Sequence, residues 1–197
     1  MKALGTSCFL AVAPLLMALG TPAGATDIAL NPKATYLHVC SDGALNASAI
    51  ALAGLGLSPG EFIVLEALGD WNNGPGGDIY VSTVAVFSSS AVLLDGSQLN
   101  RVPGAIAAGV PVVTANTFFC NQPTDIPQDF RIASAIPNTS VIVQVPPGAT
   151  HLFFSAGDHL FDDNSDPDGD YAVRVTRMPL AVDQTTWGGV KSLYRLE

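Results

Sequence analysis

The chain is predicted to fold as an all-β protein, an antiparallel β-sandwich of the jelly-roll kind with a short helical tail at its C-terminus. Three observations predict it. Short β-branched or aromatic runs recur along the chain, several of them alternate buried-type and polar residues, and clusters of Gly, Pro, Asn and Asp separate them. Stretches of helical period are few, which leaves sheet packed on sheet as the way to bury the apolar faces.

The first element is not part of that fold. Lys2, an apolar stretch from about Cys8 to Leu19, and the small residues Ala23-Gly24-Ala25 make a secretory signal with an A-x-A cleavage site after Ala25. The apolar stretch is shorter than the roughly 20 residues a spanning helix needs, and Pro14 interrupts it. Residues 1–25 are therefore expected to be removed on export to a secreted, extracellular or periplasmic location, with no membrane span left in the mature chain. Cys8 leaves with the signal. Cys40 and Cys120 remain, an even pair in an oxidising compartment, and are expected to form one disulfide. Its loop of about 80 residues constrains the unfolded chain by roughly 4 kcal/mol in the chain-entropy model. His38, His151 and His159 show no finger-like spacing to these cysteines, so a structural zinc site is not expected.

The mature chain of about 172 residues suffices for one domain, assigned to 26–178, followed by a tail, 179–197. Removing Lys2 from the eight basic residues leaves seven against seventeen acidic ones, with no basic cluster. Nucleic acid and anionic membrane surfaces are thereby poor partners, and none is expected.

Within the domain, "ASAIALAGLGL" (Ala47 to Leu57) has the pattern of a short helix, which its two glycines oppose. The strands are expected at Phe62 to Leu68, Ile79 to Phe87, Ser140 to Val145, Thr150 to Ala156 and Tyr171 to Arg177. Val141, Val143 and Val145 share one face, as do Leu152, Phe154 and Ala156, and again Tyr171, Val173 and Val175. One buried and one wet face is the expectation for each.

Between the last two strands lies "GDHLFDDNSDPDGDYAV", with six aspartates and one asparagine in the thirteen residues from Asp158 to Asp170 and no Lys or Arg among them. Such a loop must be solvated, protonated or neutralised by a cation. Asn164, Asp166, Asp168, Gly169 and Asp170 match the first half of an EF-hand loop, but Val175 stands where its bidentate Glu belongs, and strands flank the loop. A surplus of hard oxygen ligands remains, the type Ca²⁺ takes six to eight at a time. A solvated acidic loop is the alternative.

These residues resemble the galactophilic, calcium-dependent bacterial lectins of the PA-I type, a galactose-binding-like β-sandwich family. Asp158, Asp162, the run Asp163-Asn164-Ser165, Gly169 and Tyr171 fill the family's ligand-loop pattern, with Asp166-Pro167-Asp168 as an insertion. A second motif, "SPGEFIVLEALGDWNNG", is similar to the family's Pro-Gly-acid turn and strand, and puts Asn73-Gly74 in register with a carbonyl donor. The resemblance implies a Ca²⁺ cofactor held by side-chain oxygens of Asp158, Asp163 and Asn164 and by backbone carbonyls of Asp162 and Asn73. It also implies a glycan ligand whose vicinal hydroxyls join the ion beside Asp158, Asp163 and Asn164. The family's sugar-contacting His and Gln have no counterpart in "PGGDIYVS".

No catalytic motif appears: there is no G-x-S-x-G, H-E-x-x-H, P-loop lysine or dinucleotide fingerprint. His159 beside Asp158 is expected to point away from it. Trp71 is read as core packing rather than as a sugar platform, and Trp187 as packing too. "NAS" at Asn46 and "NTS" at Asn138 are glycosylation patterns only in a eukaryotic host. In the tail, Val190, Leu193 and Tyr194 with Lys191 and Arg195 have the spacing of a short amphipathic helix after a Gly-Gly hinge. The expected function is a secreted calcium-dependent carbohydrate-binding module. The alternatives are an extracellular structural or adhesive domain in which calcium only rigidifies a loop, and a secreted hydrolase. Neither the sugar nor the oligomeric state is encoded in these motifs.

Overall fold

A computed structural model describes residues 24–39, 42–108, 118–119, 122–123, 126–134 and 139–178. The signal segment before residue 24, Cys40, Cys120, Asn138, Trp187 and the tail 179–197 lie outside the described residues, and with them the disulfide and the tail helix. Among the described residues no helix is long and apolar enough to cross a membrane.

The strands that build the sandwich and the small sheet beside it run in chain order as β1 (Ala25–Ala29), β2 (Ile50–Ala51), β3 (Phe62–Leu68), β4 (Trp71–Asn73), β5 (Asp78–Tyr80) and β6 (Thr83–Ser88), to which the short strand Ala105–Ile106 adds at one side. They continue as β7 (Phe130–Ala133), β8 (Ser140–Gln144), β9 (His151–Ala156), β10 (Asn164–Ser165) and β11 (Ala172–Arg177). One sheet has the order β1-β11-β3-β8, a second β7-β6-β9-β2, and a small third sheet β10-β4-β5. All of these pairings are antiparallel. The first two sheets face each other as a sandwich. Ile63, Leu65, Val143, Val173 and Val175 from the first sheet pack against Ala85, Phe87, Phe130, Leu152 and Phe154 from the second.

The alternation holds where one face of the sheet meets water. In β3, β8 and β11 the core residues alternate with half-buried or exposed ones. It fails in the middle of the second sheet, where every residue of β6 is buried and all of β9 after His151 is buried. Val84, Val86 and Phe153 point away from the sandwich interior into a second apolar cluster with Tyr36, Leu37, Trp71, Phe161 and Tyr171. The long connections thus cover the outer face of this sheet. The buried guanidinium of Arg101 ties two of them together, donating to the carbonyls of Thr35 (3.1 Å), Leu37 (2.8 Å) and Leu94 (3.0 Å).

Two further expectations are corrected. The segment Ile79 to Phe87 is not one strand: Tyr80 ends β5 in the small sheet and Thr83 begins β6 in the second sheet. The break at Val81-Ser82 is held because the Ser82 carbonyl accepts both the Trp71 indole N–H (3.3 Å) and the Gly157 N–H (2.9 Å). The segment Ala47 to Leu57 contains strand β2 and one 3₁₀ turn, Leu52–Leu55, rather than an α-helix. Gly56 ends that turn in the left-handed region at φ 66°, where a Cβ is disfavoured.

Candidate metal centre

The acidic segment between β9 and β11 is anchored rather than free. Phe161 and Tyr171 sink into the second apolar cluster. The Phe161 N–H donates to the Asp42 carboxylate (2.6 Å), and the Tyr171 hydroxyl lies 3.1 Å from that of Thr83. Four of the charged residues between these anchors, Asp162, Asp163, Asp168 and Asp170, stay exposed. Asn164 between them does not, at 0% exposed, nor does Asp158 just before Phe161, at 5%.

Asp158 and Asn164 each keep one oxygen without a partner. Oδ1 of Asp158 accepts the His159 N–H (2.7 Å), but Oδ2 is buried and unbonded. Nδ2 of Asn164 donates to the Pro32 carbonyl (3.1 Å), which aims the amide, while Oδ1 is buried and unbonded. Burial pushes the Asp158 carboxyl above the usual carboxylate range, against the opposing pull of the His159 N–H, the His159 ring and the neighbouring Asn164 side chain. Nδ1 of His159 lies 3.5 Å from Asp158 Oδ1, so these two side chains, expected to point apart, sit together.

The small sheet brings the two sequence motifs to each other. β10 pairs with β4 so that Asn164 stands opposite Asn73 and Ser165 opposite Asn72. Gly74 follows at φ 60°, and its N–H donates to the Asp163 carbonyl (3.2 Å). A Cβ at Gly74 would lie 2.8 Å from Asp163 Oδ2, so the glycine makes room for that carboxylate. Asp158, Asn164, Asp163 and Asn73 are therefore supplied by neighbouring parts of the fold, and the buried, unbonded oxygens of Asp158 and Asn164 fit a hard cation. The Asp162 carbonyl, also assigned to the ion by the resemblance, accepts the ammonium of Lys33.

A second group of carboxylates joins Asp166 and Asp168 of the inserted turn to Asp78, which the sequence pattern did not single out. One oxygen each of Asp78, Asp166 and Asp168 lie within 4.8 Å of one another. Asp78 Oδ1 is buried without a partner, and burial, reinforced by the charges of Asp70, Asp168, Asp166 and Asp170, pushes its carboxyl up. Asp168 is pushed up as well, by partial desolvation of its carboxylate and by the nearby Asp170 and Asp166. Asp166 is already engaged, its two oxygens accepting the N–H groups of Gly169 (2.9 Å), Asp170 (3.3 Å) and Tyr171 (3.2 Å), which closes the inserted turn. The available signal was the position of Asp78, five residues after the carbonyl donor Asn73, where the chain must turn back through "GPGG". Reading Ile79 to Phe87 as one strand hid it.

Trp71 is 1% exposed, as expected of core packing, and stacks obliquely on Tyr80 with ring centroids 5.3 Å apart. No protein-family model matches this chain, and no curated protein or solved structure is significantly similar to it.

Proposed function

We propose that this protein is an exported, non-catalytic β-sandwich module that binds calcium, of the calcium-dependent carbohydrate-binding kind. The observation that carries the metal reading is the pair of buried, unbonded oxygens, Asp158 Oδ2 and Asn164 Oδ1, beside the strand pairing of Asn164 with Asn73. Native proteins rarely leave such atoms unsatisfied, because each costs about 1–3 kcal/mol, and a charged one more. Asp158, Asp163 and Asn164 would hold the ion through side chains, and Asn73 and Asp162 through carbonyls. The bound ion supplies a hard Lewis-acid centre that also accepts neutral oxygens, which is the chemistry a vicinal diol of a sugar satisfies. The net acidity of the chain favours neutral glycans over anionic ones.

A second reading, calcium as a rigidifying ion in a structural or adhesive domain, is favoured by the depth of the site. Ligands as buried as Asp158 and Asn164 leave fewer coordination positions facing solvent. Titrating calcium calorimetrically into wild type, Asp158→Ala, Asp163→Ala and Asp168→Ala tests the site. The expected outcome is loss of affinity by at least about a hundredfold in the first two variants and within about threefold of wild type in the third. A larger loss at Asp168 would move the site to the inserted turn. Binding of neutral glycans in saturating calcium then separates the two readings: the lectin-like module binds and the structural domain does not.

A further inference from the structure

Lys33 is the sole lysine among the described residues, and its ammonium meets the acidic loop at a backbone atom. It donates to the carbonyl of Asp162 and lies 3.9 Å from the same residue's Oδ1. The segment that carries it is held in place independently of the side chain, by one bond to the loop and two to other parts of the chain. The Pro32 carbonyl takes the Asn164 amide (3.1 Å), the Lys33 N–H donates to Asn31 Oδ1 (3.0 Å), and the Lys33 carbonyl accepts the Leu45 N–H (2.8 Å). The backbone of Lys33 is thus held next to Asp162 whatever its side chain does. The side chain itself is 39% exposed, free to turn outward along a solvent path.

We propose that Lys33 is a tethered competitor for calcium, a built-in monovalent cation that occupies the Asp162 carbonyl when no ion is bound and must leave it when one is. This inference rests on the proposed calcium site, specifically on Asp162 as a carbonyl ligand. One carbonyl cannot direct its lone pairs at an ammonium and a divalent cation in close contact without bringing like charges together. A positive charge within a few ångström of a divalent ion weakens binding by on the order of tenfold, even with water screening the pair. The ammonium also lessens the mutual repulsion of the loop carboxylates in the ion-free protein, where the described arginine ion pairs lie elsewhere, with Asp27 and Glu61, and the one other basic side chain at the loop is His159 beside Asp158. Lys33 therefore sets the affinity from both sides: it stabilises the ion-free loop and opposes the ion-bound one.

The test is calcium calorimetry on purified wild-type protein, Lys33→Met, Lys33→Gln and Lys33→Arg, with melting curves of each in chelator and in saturating calcium. Lys33→Met and Lys33→Gln are expected to bind calcium at least about fivefold more tightly, to melt lower in chelator, and to show a wider gap between the two curves. Lys33→Arg keeps the charge and is expected to stay within about twofold of wild type. Wild-type or weaker affinity in both neutral variants overturns the competitor role, because a lysine that merely braces the loop gives that result. Absence of calcium binding in wild type overturns the calcium site itself, a different outcome from wild-type binding that Lys33 leaves unchanged.

Discussion

Asp158 carries a burden in the ion-free protein: a mostly buried carboxylate with one oxygen bonded and the other not. Asp158→Asn removes the buried charge and keeps an acceptor for the His159 N–H. In chelator this variant is expected to be more stable than wild type by about 1–3 kcal/mol, and its melting curve is expected to ignore calcium. A variant that melts below wild type in chelator, or that retains the full calcium shift, contradicts the assignment. At this scale the sequence was informative where residue type alone speaks. Asp158, Asp163 and Asn164 are oxygen ligands by nature and lie close together in the chain. Lys33 and Pro32 were invisible because they reach the loop from about 130 positions away, and nothing in their local pattern announces that meeting.

The elements show which signals survive packing. β1 is an edge strand of the first sheet and pairs with β11, the last of the described strands, so two segments nearly 150 residues apart close that sheet together. Asp27 and Arg174 stand opposite each other in this pairing and bond at both carboxylate oxygens (2.7 and 2.8 Å). The hydrogen bonds from Arg174 hold the Asp27 carboxyl below its ordinary value of 3.8, against a smaller opposing effect of desolvation. A lowered carboxyl stabilises the fold at pH above the ordinary value and ceases to do so as pH falls through the lowered one. Asp27→Asn is accordingly expected to lower the melting temperature slightly at neutral pH, by an amount that added salt reduces, since the pair is exposed. In acid below the lowered value, wild type and variant are expected to melt together; a gap that persists there means the substitution acts by another route. The strands of the first sheet were legible because their one wet face prints an alternation on the sequence. Ile79 to Phe87 was not, since a run of β-formers carries no mark of where the chain passes from one sheet to another.

For the whole molecule, the sandwich core does not pass through the candidate metal centre. The interior residues of the two large sheets form one apolar cluster, while Trp71, Phe161 and Tyr171, which anchor the acidic loop, belong to the other. Chelation is therefore expected to lower stability without unfolding the domain. With free calcium about a hundredfold above its dissociation constant, binding adds about 2.7 kcal/mol. Thermal melting with calcium and with chelator measures this: two cooperative transitions with the calcium one higher are expected, and coincident curves exclude the site.

The sequence by itself determined the all-β class, the spans of β3, β8, β9 and β11, the burial of Trp71 and the concentration of hard oxygen ligands in one loop. These follow from composition and from periods of two, which are local properties. The tertiary structure alone decided that β6 and β9 are buried on both faces, that Asn164 faces Asn73 across a strand pair, that Asp78 joins Asp166 and Asp168, and that Lys33 lies against Asp162. Each of these depends on segments distant in the chain being held side by side, and the contacts that hold them arise only when the whole core packs.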